Sequence, residues 1–161
     1  MKVYIYNSKK PDTSSLLRDQ NGKPLPIDNT HFNISHSGNY WAIAISDKSV
    51  GIDLQSKFKT SREQGHTNAN TNPRESTNVN TIPREISERT MKKILKPGEK
   101  PVKNNYLHNF VIKEAYAKLL GAGLSLGFSN YDANGLIKNP HYFKETKDYI
   151  CYAFEKPENP A

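Results

Sequence analysis

The hydrophobic and polar positions divide the 161-residue chain into three textures. Residues 1–55 are β-like. Tyr40-Trp41-Ala42-Ile43-Ala44-Ile45 is apolar and rich in aromatic and β-branched side chains, Asp47-Lys48-Ser49 interrupts it, and Val50-Gly51-Ile52-Asp53-Leu54 resumes it. This predicts two strands joined by a short turn, a hairpin. Residues 56–85 read differently. Ser, Thr, Asn, Arg, Glu and Gln crowd together there and large apolar side chains almost vanish. Asn70-Thr71-Asn72-Pro73-Arg74-Glu75 recurs as Asn80-Thr81-Ile82-Pro83-Arg84-Glu85, but two copies are too few for a solenoid. Such a segment buries too little apolar surface to offset its ordering entropy, which predicts a polar, disordered insertion.

Structure is predicted to resume at Ile86. A basic helical stretch carries Met91, Ile94 and Leu95 at helical spacing and ends near Pro97-Gly98. The clearest helix is predicted over 105–120. There Val111, Ala115 and Leu119, flanked by Ile112, Tyr116 and Leu120, form an apolar stripe at three- and four-residue spacing. Gly121 and Gly123 are the candidate caps. Beyond them come a strand near 128–131, a turn at Asn134-Gly135, a last strand over 148–155 and a polar tail over 156–161.

Hydrophobic residues make up only 35% of the chain and the mean hydropathy is −0.79, low for a domain packed throughout. No run approaches the roughly 20 apolar residues of a membrane span. Met1-Lys2-Val3-Tyr4-Ile5-Tyr6 is too short an apolar run for a signal peptide. The expectation is a cytoplasmic protein with no membrane partner. The single cysteine, Cys151, excludes an internal disulfide and gives no support to a Cys-based zinc site. A net charge of +7 favours an anionic partner, whether nucleic acid, a phosphate-rich ligand or an acidic protein surface.

Three groups of residues could carry chemistry. Strand alternation places Asp53 and Gln55 on one face, with Ile52 and Leu54 on the other. That pair is either a solvent-facing strand edge or part of a hard-cation site, since Mg²⁺ takes oxygen ligands and often only one or two carboxylates. On the long helix Phe110, Glu114 and Lys118 form one ridge, with Lys113 as a nearby second cation. Glu114 and Lys118 are either an ordinary i,i+4 ion pair or an acid and an ammonium facing a cleft. Phe32-Asn33-Ile34-Ser35-His36-Ser37-Gly38 is either a polar turn or a phosphate-binding hydroxyl and imidazole. A hydrolase triad fits it poorly, because Ser35 and His36 are neighbours outside any nucleophile-elbow pattern. His31, His66, His108 and His141 show no metal-ligand spacing.

Taken together, these segments resemble the 4′-phosphopantetheinyl transferase superfamily, particularly its longer, two-lobed class. The matching blocks are Gly22-Lys23-Pro24, Phe32 to Gly38, Val50-Gly51-Ile52-Asp53, and Lys113-Glu114-Ala115-Tyr116-Ala117-Lys118-Leu119-Leu120-Gly121-Ala122-Gly123-Leu124, in that order. The resemblance implies an α+β fold, an antiparallel sheet packed on a long helix, with the first lobe abbreviated. It implies an organisation of 1–55 as the shortened lobe and the strand entering the site, 56–85 as an insertion, 86–155 as the second lobe with the catalytic helix, and 156–161 as a tail. A strand at 1–6 would replace part of the missing lobe.

The resemblance also implies an activity of the holo-[acyl-carrier-protein] synthase type. This is Mg²⁺-dependent transfer of the 4′-phosphopantetheine arm of coenzyme A to a serine of an apo acyl or peptidyl carrier protein, releasing 3′,5′-ADP. By position, Asp53, Gln55 and Glu114 correspond to metal ligands and Glu114 to the group that activates the carrier serine. Lys118 corresponds to the lysine that steadies the diphosphate and the departing nucleotide. Lys23, Ser35, His36 and Lys113 correspond to positions that hold the nucleotide and its phosphates, and Glu99 to a further acid near the site. Gln55 departs from the pattern, since many relatives carry a second acidic ligand there. Lys92, Lys93, Lys96, Lys100 and Lys103 would suit an acidic carrier, or else form a solvated helix face. A shortened first lobe would expose surface, pointing to self-association, as a homo-oligomer, or to a need for a partner. Two rival readings are a non-catalytic relative that binds coenzyme A or a carrier, and a basic nucleic-acid-binding module. The second rests on charge alone, as no nucleic-acid motif is present.

Overall fold

The computed structural model describes residues 1–8, 10–59, 83–121 and 127–157. Its elements, in chain order, are β1 (Lys2–Asn7), β2 (His31–Ser37), β3 (Tyr40–Ser46), β4 (Val50–Ser56), α1 (Glu88–Ile94), α2 (Tyr106–Leu120), α3 (Ala133–Leu136), β5 (Tyr142–Glu145) and β6 (Tyr149–Glu155). The result is a mixed α/β protein with two three-stranded antiparallel sheets, β1-β3-β2 and β4-β6-β5, where one sheet was expected.

The expected hairpin between 40–45 and 50–54 does not form. β3 already pairs with β2 on one edge, from His31↔Ser46 to Ser37↔Tyr40, and with β1 on the other. Gly38, at φ 59°, turns β2 into β3. With both edges of β3 taken, β4 crosses to the second sheet and pairs with β6, from Val50↔Glu155 to Ser56↔Tyr149. The free edge of β4 then faces β2, where side chains replace a backbone ladder. Asn33 Oδ1 accepts the Ile52 N–H and Ser35 Oγ accepts the Leu54 N–H, both at 3.1 Å. The Gln55 amide donates to Ser37 Oγ at 2.6 Å. Buried backbone donors must find acceptors, and alternate polar residues on one face of β2 supply them.

Two cores flank β4. Val50, Ile52 and Leu54 pack with Ala42, Ala44, Cys151 and Ala153 between the sheets. On the opposite side α2 lays Leu107, Val111, Ile112, Ala115 and Leu119 against Ile150, Tyr152 and Phe154 of β6. Gly51 permits this approach. A Cβ there would lie 2.1 Å from the Ala115 carbonyl oxygen and 2.2 Å from the Leu119 nitrogen, so only glycine lets α2 touch the strand. By strand alternation Asp53 and Gln55 share Gly51's face and so lie on the α2 side.

The Asn105 side chain caps α2 by accepting the Leu107 N–H, and Gly121, at φ 71°, ends it in a left-handed conformation. Gly123, the other candidate cap, lies outside the described residues. Ser87 caps α1. Three further expectations change. Phe128–Asn130 form a 3₁₀ turn where a strand near 128–131 was expected, Asn134-Gly135 lies within α3 rather than a turn, and β5 is an additional strand. Most of the polar segment expected to be an insertion, residues 60–82, lies outside the described residues, but its two ends meet. Phe58 bridges Pro83, and the Arg84 N–H donates to the Lys57 carbonyl.

Candidate functional site

The seam between β4, β2 and α2 gathers several of the residues singled out from sequence. Asp53 is almost fully buried at 5% exposure. Its Oδ1 accepts from the Lys118 ammonium at 2.5 Å and from Ser35 Oγ at 2.8 Å. Lys118 also donates to Ser35 Oγ at 3.2 Å. Ser35 therefore fixes Asp53, steadies Lys118 and accepts a backbone N–H of β4, three tasks for one hydroxyl.

Glu114 stands one turn before Lys118 on the same helix ridge. It has no hydrogen-bond or ion-pair partner among the described residues. Burial raises its pKa first, the neighbouring Asp53 charge adds to the rise, and Lys118 opposes both, leaving it at about 7. The Asp53 charge thus bears on Glu114, which stands one helical turn from the Lys118 that Asp53 binds. Of the two readings of Glu114 and Lys118, the i,i+4 ion pair is not made, because Lys118 turns to Asp53 instead.

The seam thus carries Asp53 paired with the Lys118 ammonium, Glu114 one helical turn from that ammonium, and Gln55 on the same strand face as Asp53 with its amide nitrogen donating to Ser37. Among the described residues no three His, Cys, Asp or Glu side chains form a cluster. A hard divalent cation does not need three. Two carboxylates, an amide oxygen and ligand phosphates make an oxygen set of the kind Mg²⁺ accepts. The donor chemistry fits such an ion.

Next to the seam a cleft of about 140 Å³ is lined by Arg18, Gly22, Lys23, Asn33, Lys118 and Gly121, among others. Three cations at its wall suit an anion. The Lys23 ammonium is half-buried and donates to Ser49 Oγ and to the Leu119 carbonyl, both at 3.1 Å. It therefore also satisfies the last turn of α2, and burial lowers its pKa. His36 is exposed and points away from Asp53's face of the seam. Its ring stacks on Trp41 with centroids 4.5 Å apart.

Lys113 does not join this group. Its side chain is 1% exposed, and its ammonium is held by the Ile94 carbonyl at 2.6 Å and by Glu99. An ammonium committed to those partners cannot reach a phosphate in the cleft, so the expected role in nucleotide binding is not supported by its position. Glu99 is equally committed, accepting from Lys113, the Lys96 and Ala133 N–H groups and Asn109. Burial works to raise its pKa, but these donors outweigh it and hold the carboxyl low. Through Ile94 and Glu99, Lys113 ties the end of α1 and the loop after it to α2.

Asn33 and Arg18 belong to the site's surroundings and were not singled out from sequence. Asn33 had a readable signal. Asn33, Ser35 and Ser37 repeat at period two in β2, so three polar side chains share one face, and all three are buried. Arg18 lies in irregular chain and carries no pattern.

Away from this seam, α1 and the loop after it present an exposed basic surface with Lys92, Lys93, Lys96 and Lys100. A groove of about 500 Å³ runs there over Met91, Leu95 and Tyr106. Lys103 is turned aside onto the Phe143 ring, 3.9 Å from its centroid.

No protein-family model matches the chain. Among curated proteins it is similar to the 4′-phosphopantetheinyl transferase psf-1 of Bacillus pumilus, 30% identical over 121 residues. The match takes in 70% of this chain and 42% of that protein, so the chain spans less than half the length of the curated relative it matches.

Proposed function

We propose that this protein moves the 4′-phosphopantetheine arm of coenzyme A onto a serine of an apo acyl or peptidyl carrier protein. The observation that carries this reading is the nearly buried Asp53 of β4 bound by Lys118 of α2 at the wall of a cationic cleft, with the acid Glu114 one helical turn away. The similarity to psf-1 points to the same chemistry.

In this reading Asp53, Glu114 and the Gln55 amide oxygen would hold Mg²⁺, which would supply charge neutralisation for the diphosphate of coenzyme A. Lys23 and Lys118, at the wall of the cleft, take the nucleotide's phosphates. Ser35 holds Asp53 and Lys118 in register. The carrier serine's oxygen forms a bond to the phosphorus that bears the pantetheine arm, and the bond from that phosphorus to the oxygen of 3′,5′-ADP breaks. Glu114 accepts the serine proton, directly or through one water. Lys118 meets the charge that gathers on the leaving diphosphate oxygen. Most of the catalytic advantage lies in alignment and preorganised charge, since the nucleophile arrives on the partner. The groove beside Lys92 and Lys96 suits an acidic carrier helix, with an apolar floor for its contact residues.

The test is direct. The protein is incubated with coenzyme A, Mg²⁺ and a panel of apo carriers, and each carrier is weighed by mass spectrometry. The expected result is a phosphopantetheine increment on at least one carrier. One observation favours a second reading, a non-catalytic binder of coenzyme A or carrier: Gln55 brings no charge and Lys118 already neutralises Asp53. Retained coenzyme A binding with no increment on any carrier selects that reading.

A further inference from the structure

We infer that Lys118 is an exchangeable internal counter-ion that occupies Asp53 in the free protein and must move onto the incoming diphosphate before a divalent cation takes its place, so that metal and diphosphate bind as a coupled pair. This rests on the site reading above but goes beyond it, since it assigns Lys118 a position in the free protein that the reaction requires it to leave.

The geometry carries the argument. Asp53 is 5% exposed, and its only ionic partner among the described residues is the Lys118 ammonium at 2.5 Å. Both the ammonium and Ser35 converge on the same oxygen, Oδ1. A metal ion approaching Asp53 therefore meets a positive charge already seated there. Two cations cannot share a nearly buried carboxylate without strong repulsion. The Lys118 side chain retains 29% exposure and lines the cationic cleft, so its ammonium has a path from Asp53 towards that cleft. With no anion in the cleft, the move strands an ammonium beside Lys23 and Arg18. With a diphosphate there, the same move gains a charge-assisted contact. The two binding events thus help each other, and linkage makes that help reciprocal.

The experiment titrates Mn²⁺ by electron paramagnetic resonance into the full chain and into Lys118→Met and Lys118→Arg, with and without coenzyme A. Folding of each variant is checked by circular dichroism. Lys118→Met is expected to bind Mn²⁺ alone about tenfold or more tightly than the unaltered protein, because one nearby positive charge is gone. In the unaltered protein coenzyme A should tighten Mn²⁺ binding, and in Lys118→Met that enhancement should shrink about tenfold, with Lys118→Arg retaining it. If Mn²⁺ binds but Lys118→Met leaves its affinity unchanged or weaker, the exchange is overturned while the metal site stands. If none of the three proteins binds Mn²⁺ with or without coenzyme A, the metal site itself falls and the exchange falls with it.

Discussion

Glu114 carries a free-energy cost that appears only when it ionises. Burial and the Asp53 charge move its pKa from an ordinary 4.5 to about 7, against the pull of Lys118. Between those two values the folded protein keeps a proton that the unfolded chain has released. Stability therefore falls as pH rises through the window from 4.5 to about 7, and the full cost is present above it. At roughly 1.4 kcal/mol per pH unit the ceiling is about 3 kcal/mol. Solvent screening at a partly exposed carboxyl reduces the expected effect to about 1–2 kcal/mol. Glu114→Gln keeps the shape and removes the charge. Urea unfolding in divalent-free buffer should find the variant more stable by that amount at about pH 8, with most of the gap closed near pH 4.5. A gap that is the same at both pH values, or a wild type more stable at the higher one, would refute the claim that Glu114 is poorly solvated and feels the Asp53 charge.

Two further substitutions probe the scaffold. Gly51→Ala would press a methyl group into the backbone of α2 at Ala115 and Leu119, so a loss of about 3 kcal/mol or more is expected in a urea melt; a near-neutral result would mean that α2 is not seated on β4. Lys113→Met should leave Glu99 buried without its cation and cost about 3–5 kcal/mol, whereas the Lys113→Met, Glu99→Gln pair should recover much of it. Unchanged coenzyme A affinity in the folded Lys113→Met protein is expected, and a large loss would restore Lys113 to the phosphate site.

What the sequence could determine by itself was local and periodic. The stripe of Val111, Ala115 and Leu119 marks a helix because 3.6-residue periodicity is written into the order of residues. Alternation puts Asp53 and Gln55 on the face opposite Ile52 and Leu54 by the same logic. The glycine within that strand, Gly51, also stands in plain sight. Its reason does not, because the atoms it must admit belong to a helix more than sixty residues later.

Strand pairing was decided only in three dimensions. The turn at Asp47-Lys48-Ser49 suggested a hairpin, yet β1 and β2 occupy both edges of β3 and leave β4 to a partner about a hundred residues away. Nothing in a local pattern states which edges are already filled. The fate of the lysines follows the same rule. Lys113 and Lys118 read alike along the helix, but α2 is buried on several sides, so one ammonium ends beneath α1 against Glu99 and the other beside β4 against Asp53. Chain order gives each side chain its chemistry and its angle about the helix axis; the neighbours packed around that axis decide which charges are enclosed, and with what.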